Sequence, residues 1–311
     1  MSTLFLTHPA FLDHNNGAGH PERPERLETI AKVVAHEDFA GLVHAEPEPA
    51  DEAVIELAHP RSYIDTLKEA RPETGIRQLD PDTAMVPGTW NAALRAVGAG
   101  LHAVDAVMAG DARNAFCAVR PCGHHAERAR AMGFCLFANV AIAGMYAHEK
   151  HGLERIAVVD FDVHHGNGTQ DVFWHDKDLF LASTHQMPLF PGTGARSEEG
   201  AAGNICNAPL DPGTDGARFK EAFRSRILPA LEAFGPDIIL ISAGFDAHRN
   251  DPLASCNLVE DDFAWATGQL AEIADKRAGG RLVSMLEGGY DLDGLAGSVD
   301  AHLRVLMDAA R

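Results

Sequence analysis

IAVVDFDVHHGNGTQ, residues 156–170, joins four consecutive apolar residues to a run of acidic, imidazole and amide side chains. The apolar residues at 156–159 are typical of a strand that is buried on both faces of a parallel sheet. Asp160, Asp162 and His164 follow directly after this predicted strand. The stretch therefore predicts a buried strand that delivers chemically active side chains to its carboxyl end.

The rest of the chain alternates between similar short apolar runs and longer segments of helical period. The other predicted strands are residues 115–119, 179–182, 238–241 and 282–286. The predicted helices are residues 24–35, 90–108, 139–151, 218–233, 261–277 and 294–310. This alternation predicts an α/β fold with one parallel sheet covered by helices on both faces. No repeat or linker-like stretch interrupts it, so we expect residues 1–311 to form a single domain.

Composition and charge narrow the class of protein. The chain has 311 residues, 46% of them hydrophobic, and a formal net charge of −19 from 26 basic and 45 acidic side chains. So acidic a surface repels phosphate, and no nucleic-acid partner is expected. No apolar run approaches about 18 residues and residues 1–9 do not resemble a secretory signal, so no membrane association is expected. Five cysteines without a CxxC pair favour a cytoplasmic location.

Titratable side chains follow four of the five predicted strands. His124 and His125 come after the first strand, Asp246 after the fourth, and Glu287 and Tyr290 after the last. In open α/β sheets, ligands bind at the edge where the carboxyl ends of the strands meet. The sequence therefore predicts one functional site at this edge.

Asp162, His164 and Asp246 are the candidate metal ligands. One imidazole and two carboxylates suit Zn²⁺, with Fe²⁺ or Co²⁺ as alternatives, and leave positions open for water and substrate. The alternative for any single aspartate is that it caps the helix that follows. The combination of all three at one sheet edge favours the metal site.

The adjacent imidazoles of His124 and His125 are candidates for acid–base chemistry, with a structural pair as the alternative. Asp160 and Asn167 are the carboxylate and the amide available to them. A histidine bonded to a buried carboxylate is held cationic, whereas one bonded to a neutral amide stays near its ordinary pKa. Tyr290 follows two glycines and is a candidate donor to a developing oxyanion, unless Gly-Gly-Tyr is simply a turn.

These motifs together resemble the histone deacetylase superfamily, which includes acetylpolyamine amidohydrolases and bacterial acetoin-utilisation type proteins. The resemblance is strongest to the class II and bacterial members, and it runs in the family's order from residue 20 to residue 290. The matching segments are His20-Pro-Glu-Arg-Pro-Glu-Arg26, Pro121-Cys-Gly-His-His-Ala126, Gly133-Phe-Cys135, Asp160-Phe-Asp-Val-His-His-Gly-Asn-Gly-Thr-Gln170, Phe190-Pro-Gly-Thr-Gly194, Gly244-Phe-Asp-Ala-His-Arg-Asn-Asp-Pro-Leu253 and Glu287-Gly-Gly-Tyr290.

The resemblance implies the arginase-deacetylase fold, an α/β fold with helices on both faces of an eight-stranded parallel sheet. The zinc ligands that it implies are Asp162, His164 and Asp246. The catalytic residues and their partners that it implies are His124, His125, Tyr290, Asp160 and Asn167. The walls of a substrate tunnel would be Gly133, Phe134 and Phe190. A structural potassium ion would lie near Asp160, Asp162, His164, Ser183 and Thr184.

The activity that the resemblance implies is hydrolysis of acetyl or other acyl groups from the side-chain amine of lysine in proteins or peptides. Acetylpolyamine enzymes of the superfamily carry an acidic residue near the tunnel mouth, seven residues after the last metal ligand. This chain has Leu253 there, which favours acyl-lysine and leaves acylated polyamines as the alternative. Asp82 is a candidate rim residue that would hold a peptide N–H, or else a plain turn aspartate.

Two functions of other classes compete with this interpretation. A ureohydrolase of the related arginase fold would need a second manganese site, whereas the histidine pair and Tyr290 suit a mononuclear zinc enzyme. A catalytically inactive acyl-lysine binder would be expected to lack one of these groups, and none is missing. Cys122 stands where the commonest family motif has a second proline, and a redox-sensitive thiol there is a further hypothesis.

Overall fold

A parallel sheet forms the centre of the computed structural model, which describes residues 1–311. The strands are β1 (Thr3–Leu6), β2 (Val43–Ala45), β3 (Arg77–Asp80), β4 (Thr83–Met85), β5 (Asn114–Cys117), β6 (Ile156–Asp160), β7 (Leu179–Gln186), β8 (Ile205–Leu210), β9 (Ile238–Ala243) and β10 (Leu282–Leu286). Eight of them form the sheet in the order β2-β1-β5-β10-β9-β6-β7-β8, and all neighbours run parallel. β3 and β4 form a separate antiparallel hairpin.

Helices cover the sheet and connect its strands. They are α1 (Glu25–Val34), α2 (Glu52–Ile55), α3 (Arg61–Glu69), α4 (Thr89–Ala109), α5 (Asn139–His151), α6 (Asn167–Phe173), α7 (Gly216–Ala222), α8 (Leu228–Phe234), α9 (Glu260–Arg277) and α10 (Leu292–Ala309). A π-helical turn, Phe223–Ile227, joins α7 to α8. A single cluster of 85 buried apolar residues runs through the sheet and its covering helices. The molecule therefore has one continuous core.

The central strands explain why the functional residues meet. β6, β9 and β10 are buried along their whole length, as expected for parallel strands covered on both faces. β10 lies between β5 and β9, and β9 lies next to β6. The segments that follow these four strands therefore leave the sheet side by side at its carboxyl edge.

The predicted α/β fold with an eight-stranded parallel sheet is confirmed. All five predicted strands and all six predicted helical segments are present, although β7 continues to Gln186, beyond its predicted end. β1, β2 and β8 were not predicted from the residue pattern. β2 has only three residues and β8 is interrupted by Asn207, so neither presents a continuous apolar run. Edge strands are commonly short and polar in this way because that protects the sheet from pairing with other chains.

α4, with 21 residues, is the longest helix and packs against β5, β10 and α5. Its length and apolar composition also satisfy the requirements for crossing a membrane, and just over half of its apolar stretch is buried inside the protein. Small residues let it pack closely: a Cβ on Gly98 would lie 1.9 Å from the carbonyl oxygen of Glu48. Close packing of this kind is typical of a core helix.

Candidate active site

The segment after β6 carries three of the predicted site residues in a series of turns. The backbone N–H of Asp162 donates to Asp160 Oδ1 at 3.0 Å, and that of His164 donates to Asp162 Oδ1 at 2.8 Å. In an extended segment these alternate residues would share one face, because the side chains of a strand repeat every two residues. They do share a side, but side-chain-to-backbone hydrogen bonds arrange them there, because the strand itself ends at Asp160.

Asp162, His164 and Asp246 come together as the predicted ligand set. His164 Nδ1 lies 3.2 Å from Asp162 Oδ1 and 3.0 Å from Asp246 Oδ2, and all three side chains are buried. Backbone N–H groups hold the outer carboxylate oxygens: Val163 donates to Asp246 Oδ1 and Gly288 donates to Asp162 Oδ2, each at 2.8 Å. Such bonds fix the orientation of ligating carboxylates.

The electrostatics of this cluster suit a divalent cation. Burial and the neighbouring charge of Asp162 raise the pKa of Asp246 to about 7. Burial lowers the pKa of His164, but its hydrogen bonds to the two carboxylates outweigh burial and raise it to about 10. Two buried carboxylates facing one another are unfavourable without a compensating positive charge. One nitrogen and two oxygen donors form a ligand set that zinc accepts in catalytic sites.

Two glycines let the backbone approach these carboxylates. A Cβ on Gly244 would lie 2.0 Å from Asp162 Oδ2, and one on Gly288 would lie 2.1 Å from Asp246 Oδ2. Any side chain at either position would displace a ligand oxygen. Glycine is therefore required at positions 244 and 288 because no side chain fits there, and not because the backbone must be flexible.

His124 is paired with a carboxylate, as predicted. Its Nδ1 lies 3.0 Å from Asp160 Oδ2, and its Nε2 lies 3.8 Å from Asp162 Oδ2. Burial lowers the pKa of His124, but the charges of Asp162, Asp160 and Glu287 outweigh burial and raise it well above the ordinary value. His124 is therefore a buried imidazolium at neutral pH.

His125 is paired with an amide instead, and a further side chain fixes that amide. His125 Nδ1 lies 2.8 Å from Asn167 Oδ1, while Asn167 Nδ2 donates to Glu127 Oε1 at 2.8 Å. Because Glu127 accepts from the amide nitrogen, the amide oxygen must face His125. Nδ1 of His125 therefore carries the hydrogen and Nε2 is left with a free lone pair. Burial, together with the charges of His124 and His164, lowers the pKa of His125 well below its ordinary value.

The Glu287-Gly-Gly-Tyr290 segment is hydrogen-bonded to the loop of the histidine pair and to Arg26. One oxygen of Glu287, Oε2, accepts from the backbone N–H of Gly123 at 2.7 Å and of His124 at 3.1 Å. The guanidinium of Arg26 donates to the carbonyls of Glu287 (2.5 Å) and Gly289 (2.7 Å) and lies 5.1 Å from the centre of the Tyr290 ring. These bonds fix the backbone before Tyr290 and connect it to the loop that carries the histidine pair.

A cavity of about 260 Å³ leads to the site. Its lining residues are Asp82, His125, Gly133, Phe134, His164, Leu189, Phe190, Leu253 and Tyr290. Every residue predicted for the tunnel is among them. The ring of Phe134 contacts that of Tyr290 edge-on at 5.9 Å between centres, and the ring of Phe190 contacts that of His125 at 5.1 Å. Phe190 is 39% exposed and lies at the mouth.

Gly133 forms the part of the wall that touches the histidine pair. It has φ +57°, and a Cβ there would lie 2.4 Å from Cδ2 of His125. The β3–β4 hairpin supports this wall: Asp82 Oδ1 accepts from the N–H of Gly133 at 3.1 Å, and Thr83 Oγ1 accepts from that of Phe134 at 2.9 Å. Asp82 is therefore both a support for the wall and a half-buried carboxylate that faces the cavity.

The residues predicted for potassium are neighbours in the structure. Asp160 lies opposite Ser183 across the β6–β7 pairing, and Thr184 follows it on β7. The hydroxyl of Ser183 is hydrogen-bonded to His185 at 2.9 Å, and the buried hydroxyl of Thr184 has no hydrogen-bond partner. A potassium ion at this place stays a prediction.

Several residues that shape the site escaped the sequence interpretation. Glu127 orients Asn167, and Asp251 accepts from the backbone N–H of Tyr290 at 2.8 Å. Glu22 accepts from two buried guanidiniums, those of Arg26 and Arg120. Glu22 and Arg26 belong to the His20–Arg26 motif, to which the sequence analysis gave no function. The charged residues of that motif were the signal that could have identified them. Nothing local marks Glu127, which acts on a residue 40 positions away.

Comparison with known proteins gives a consistent picture. A family model described as the histone deacetylase domain matches residues 20–306. The chain is 39% identical over 324 residues to Histone deacetylase 10, chloroplastic, of Oryza sativa subsp. japonica, covering 98% of this chain and 73% of that protein. It is 39% identical over 282 residues to the histone deacetylase-like amidohydrolase of Pseudomonas aeruginosa, covering 88% of this chain and 73% of that protein. A solved structure described as the HDA15 HD domain matches with a TM-score of 0.93 and 32% identity, over 99% of this chain and 90% of that one.

Proposed function

The chain belongs to the histone deacetylase family, and from that premise we propose that it is a zinc-dependent hydrolase of acyl-lysine side chains. The observation that carries the proposal is that His125, His164 and Tyr290 meet at one cavity whose walls include Phe134 and Phe190. Zinc would be held by Asp162, His164 and Asp246, with Fe²⁺ or Co²⁺ as alternatives. A structural potassium ion near Asp160 and Ser183 is part of the proposal.

When bound, the metal ion would polarise the acyl carbonyl and lower the pKa of the attacking water. Proton transfer falls to His125, whose Nε2 is free and which is neutral at pH 7 because its pKa is lowered. It accepts the proton of the water as the new C–O bond forms. It then returns a proton to the amine as the amide C–N bond breaks.

The remaining groups stabilise charge. His124 is held as an imidazolium by Asp160 and places a fixed positive charge beside the reacting atoms. Tyr290 lines the same cavity, so its hydroxyl is available to donate to the carbonyl oxygen as negative charge develops there. Burial raises the pKa of this hydroxyl well above its ordinary value, so it stays protonated and able to donate.

The lining of the cavity suits a substrate with an alkyl stem that ends in an acylated amine. Phe134 and Phe190 give it aromatic walls, and Leu253 adds an apolar side chain where a polyamine enzyme would carry an acid. Asp82 lies in the lining with one carboxylate oxygen already committed to Gly133. This arrangement suits a peptide N–H donor at the rim.

Asp82 also supports a second candidate, the deacetylation of acetylated polyamines. Its half-buried carboxylate is the one acidic side chain in the cavity lining, and a second ammonium group would be attracted to it. We rank this candidate below acyl-lysine because Leu253 supplies no charge and Asp82 already accepts two hydrogen bonds.

A turnover panel tests these alternatives directly. Zinc-loaded protein is assayed with acetyl-lysine peptides, longer acyl-lysine peptides, acetylputrescine and acetylspermidine, and kcat/KM is compared. We expect the acetyl-lysine or longer acyl-lysine peptides to be preferred. Preference for the acetylpolyamines would replace the proposal with the second candidate. Binding of an acyl-lysine peptide without turnover of any substrate would make the protein an acyl-lysine binder. In a separate metal analysis, two equivalents of bound manganese per chain would point to a ureohydrolase.

A further inference from the structure

Two thiols lie in contact directly behind the wall of the cavity. Sγ of Cys122 is 3.4 Å from Sγ of Cys135, and the side chains are 2% and 0% exposed. Both sulfurs also face the carbonyl oxygen of Gly133, at 3.9 and 3.2 Å. The other cysteines, Cys117, Cys206 and Cys256, contact carbonyl oxygens and no second sulfur. Only this pair is placed to form a bond within the chain.

The pair connects two segments that the proposed reaction needs. Cys122 precedes the catalytic histidines by two positions, and Cys135 directly follows Gly133 and Phe134 of the cavity wall. Gly133 is packed against His125 so tightly that a single added carbon would lie 2.4 Å from the ring. Movement of either cysteine is therefore transmitted to the wall and to the imidazole.

A metal ion is a poorer explanation for the same cluster. The carboxylate of Glu287 is the third group near the two sulfurs and would have to complete the ligand set. Its Oε2 already accepts from Gly123 and His124, and its Oε1 lies 3.4 Å from the hydroxyl of Ser242. A metal there would compete with the bonds that hold the histidine loop. The two sulfurs, in contrast, need nothing further to react with one another.

We propose that Cys122 and Cys135 are a redox-active pair, which a peroxide oxidises to an intramolecular disulfide that lowers the activity of the deacetylase site. In the first step the sulfur of Cys122 attacks one peroxide oxygen and the O–O bond breaks, giving a sulfenic acid and one water. In the second step Cys135 displaces the hydroxyl of the sulfenic acid, giving the disulfide and a second water. Overall, two thiols and one hydrogen peroxide become one disulfide and two waters. Added dithiol reverses the reaction by exchange.

The order of the two steps follows from the environment of the sulfurs. Burial, followed by its contact with Cys122, raises the pKa of Cys135 well above the ordinary value, which disfavours the thiolate of Cys135. Gly133 lines the cavity and its carbonyl oxygen lies 3.9 Å from Sγ of Cys122, so a molecule as small as hydrogen peroxide has a short distance to travel from the cavity to this sulfur.

The disulfide would alter the site because its geometry differs from the present contact. Bonded sulfurs are about 2 Å apart, so the two segments must approach one another. The wall and the ring of His125 then shift together. Displacement of a catalytic group by about 1 Å costs roughly 10²-fold in rate.

The experiment treats reduced, zinc-loaded protein with excess hydrogen peroxide and follows thiols, mass and turnover. Free thiols under denaturing conditions should fall from five to three, since two of the five cysteines are consumed. Peptide mapping should show a link between the peptides that contain Cys122 and Cys135. Deacetylase turnover should fall roughly 10²-fold and return after reduction. Zinc itself is not oxidised, so the metal does not confound the assay.

Variants separate this disulfide from other damage. Cys122→Ala should keep its reduced activity and resist peroxide, whereas the matched control Cys206→Ala should lose activity like the native protein. Cys135→Ala serves if Cys122→Ala does not fold. Five remaining thiols in the treated native protein, or a disulfide without loss of turnover, would overturn the proposal. So would a second zinc per chain that Cys122→Ala removes. Loss of turnover rests on the proposed function, but the thiol count and the peptide map do not, so the two can fail separately.

Discussion

Asn167 presents its carbonyl oxygen to Nδ1 of His125 at 2.8 Å because Glu127 holds the other end of the same amide. This relationship settles which nitrogen of His125 carries a hydrogen. It also distinguishes His125 from its neighbour His124, which faces the carboxylate of Asp160 instead. Two adjacent imidazoles thus receive opposite protonation states from their partners.

Replacing the amide with a carboxylate should make the two histidines alike. In the native protein the pKa of His125 is lowered well below its ordinary value, so the base is already deprotonated at neutral pH. Asn167→Asp should raise that pKa by about 1–3 units. The acid limb of the kcat/KM profile should then move to higher pH, with the greatest loss at low pH and recovery as the pH rises.

The control for this variant is Glu127→Gln/Asn167→Asp, which removes the repulsion between two adjacent carboxylates. Its acid limb should move in the same direction. An unchanged pH profile in both variants would show that Asn167 does not set the protonation of the base.

Tyr290→Phe removes one hydroxyl and keeps the ring that contacts Phe134 and Arg26. We expect kcat to fall by roughly 10²–10³, the usual cost of losing one oxyanion donor. KM and zinc content should change little. Steady-state kinetics and metal analysis check this, and near-native turnover would exclude the hydroxyl from the reaction.

Metal content should separate the ligands from the acid–base group. Asp246→Ala leaves His164 and Asp162 without their partner and should lose both zinc and activity. His125→Ala should lose roughly 10²–10⁴ in turnover while keeping one zinc per chain. Chelation of the native protein should abolish turnover, and added zinc should restore it. Zinc lost from His125→Ala, or kept by Asp246→Ala, would mean that the ligands are misassigned.

Gly133→Ala tests the close contact between the cavity wall and His125. Gly152 provides a matched control, since it also has positive φ (+67° against +57°) but nothing within 4 Å of an added Cβ. Alanine should cost about 1–2 kcal/mol of stability at Gly152 because of the left-handed backbone, and more at Gly133, where the added carbon also meets the ring of His125. Only Gly133→Ala should also reduce kcat. Thermal unfolding and kinetics on the two variants check this, and equal activities would show that the contact is unimportant.

Leu253→Glu tests what sets substrate preference at the cavity. A carboxylate in place of this half-buried side chain should attract a second ammonium group and improve kcat/KM for acetylspermidine relative to an acetyl-lysine peptide. Leu253→Gln controls for size and polarity without charge. If the glutamate and glutamine variants keep the native preference, Leu253 does not determine it.

Local patterns were sufficient for the parts of the site that lie beside strand ends. The apolar run at 156–159 predicted a central strand, and the residues after it predicted two metal ligands, Asp162 and His164. The structure places Asp246, from the segment after β9, beside both. These side chains meet because parallel strands deliver their carboxyl ends to one edge whatever the details of the connections.

Other parts depend on contacts that have no local signature. Glu127 acts on Asn167, and Arg26 reaches carbonyl groups more than 260 positions along the chain. Their roles follow only from three-dimensional proximity. The same is true of the thiol pair: Cys122 and Cys135 are 13 positions apart, and packing behind Gly133 brings their sulfurs together.

The strand order has a consequence for biosynthesis. β5 and β9 do not pair directly; β10, near the end of the chain, fills the gap between them and carries Tyr290 on the segment that follows it. The loop that carries the histidine pair after β5 and the candidate metal ligands after β6 and β9 are therefore joined through β10, the last strand of the sheet along the chain. A chain without residues 282–290 can neither complete this sheet nor bring Tyr290 to the cavity, so the site depends on the strand that is synthesised after all the others.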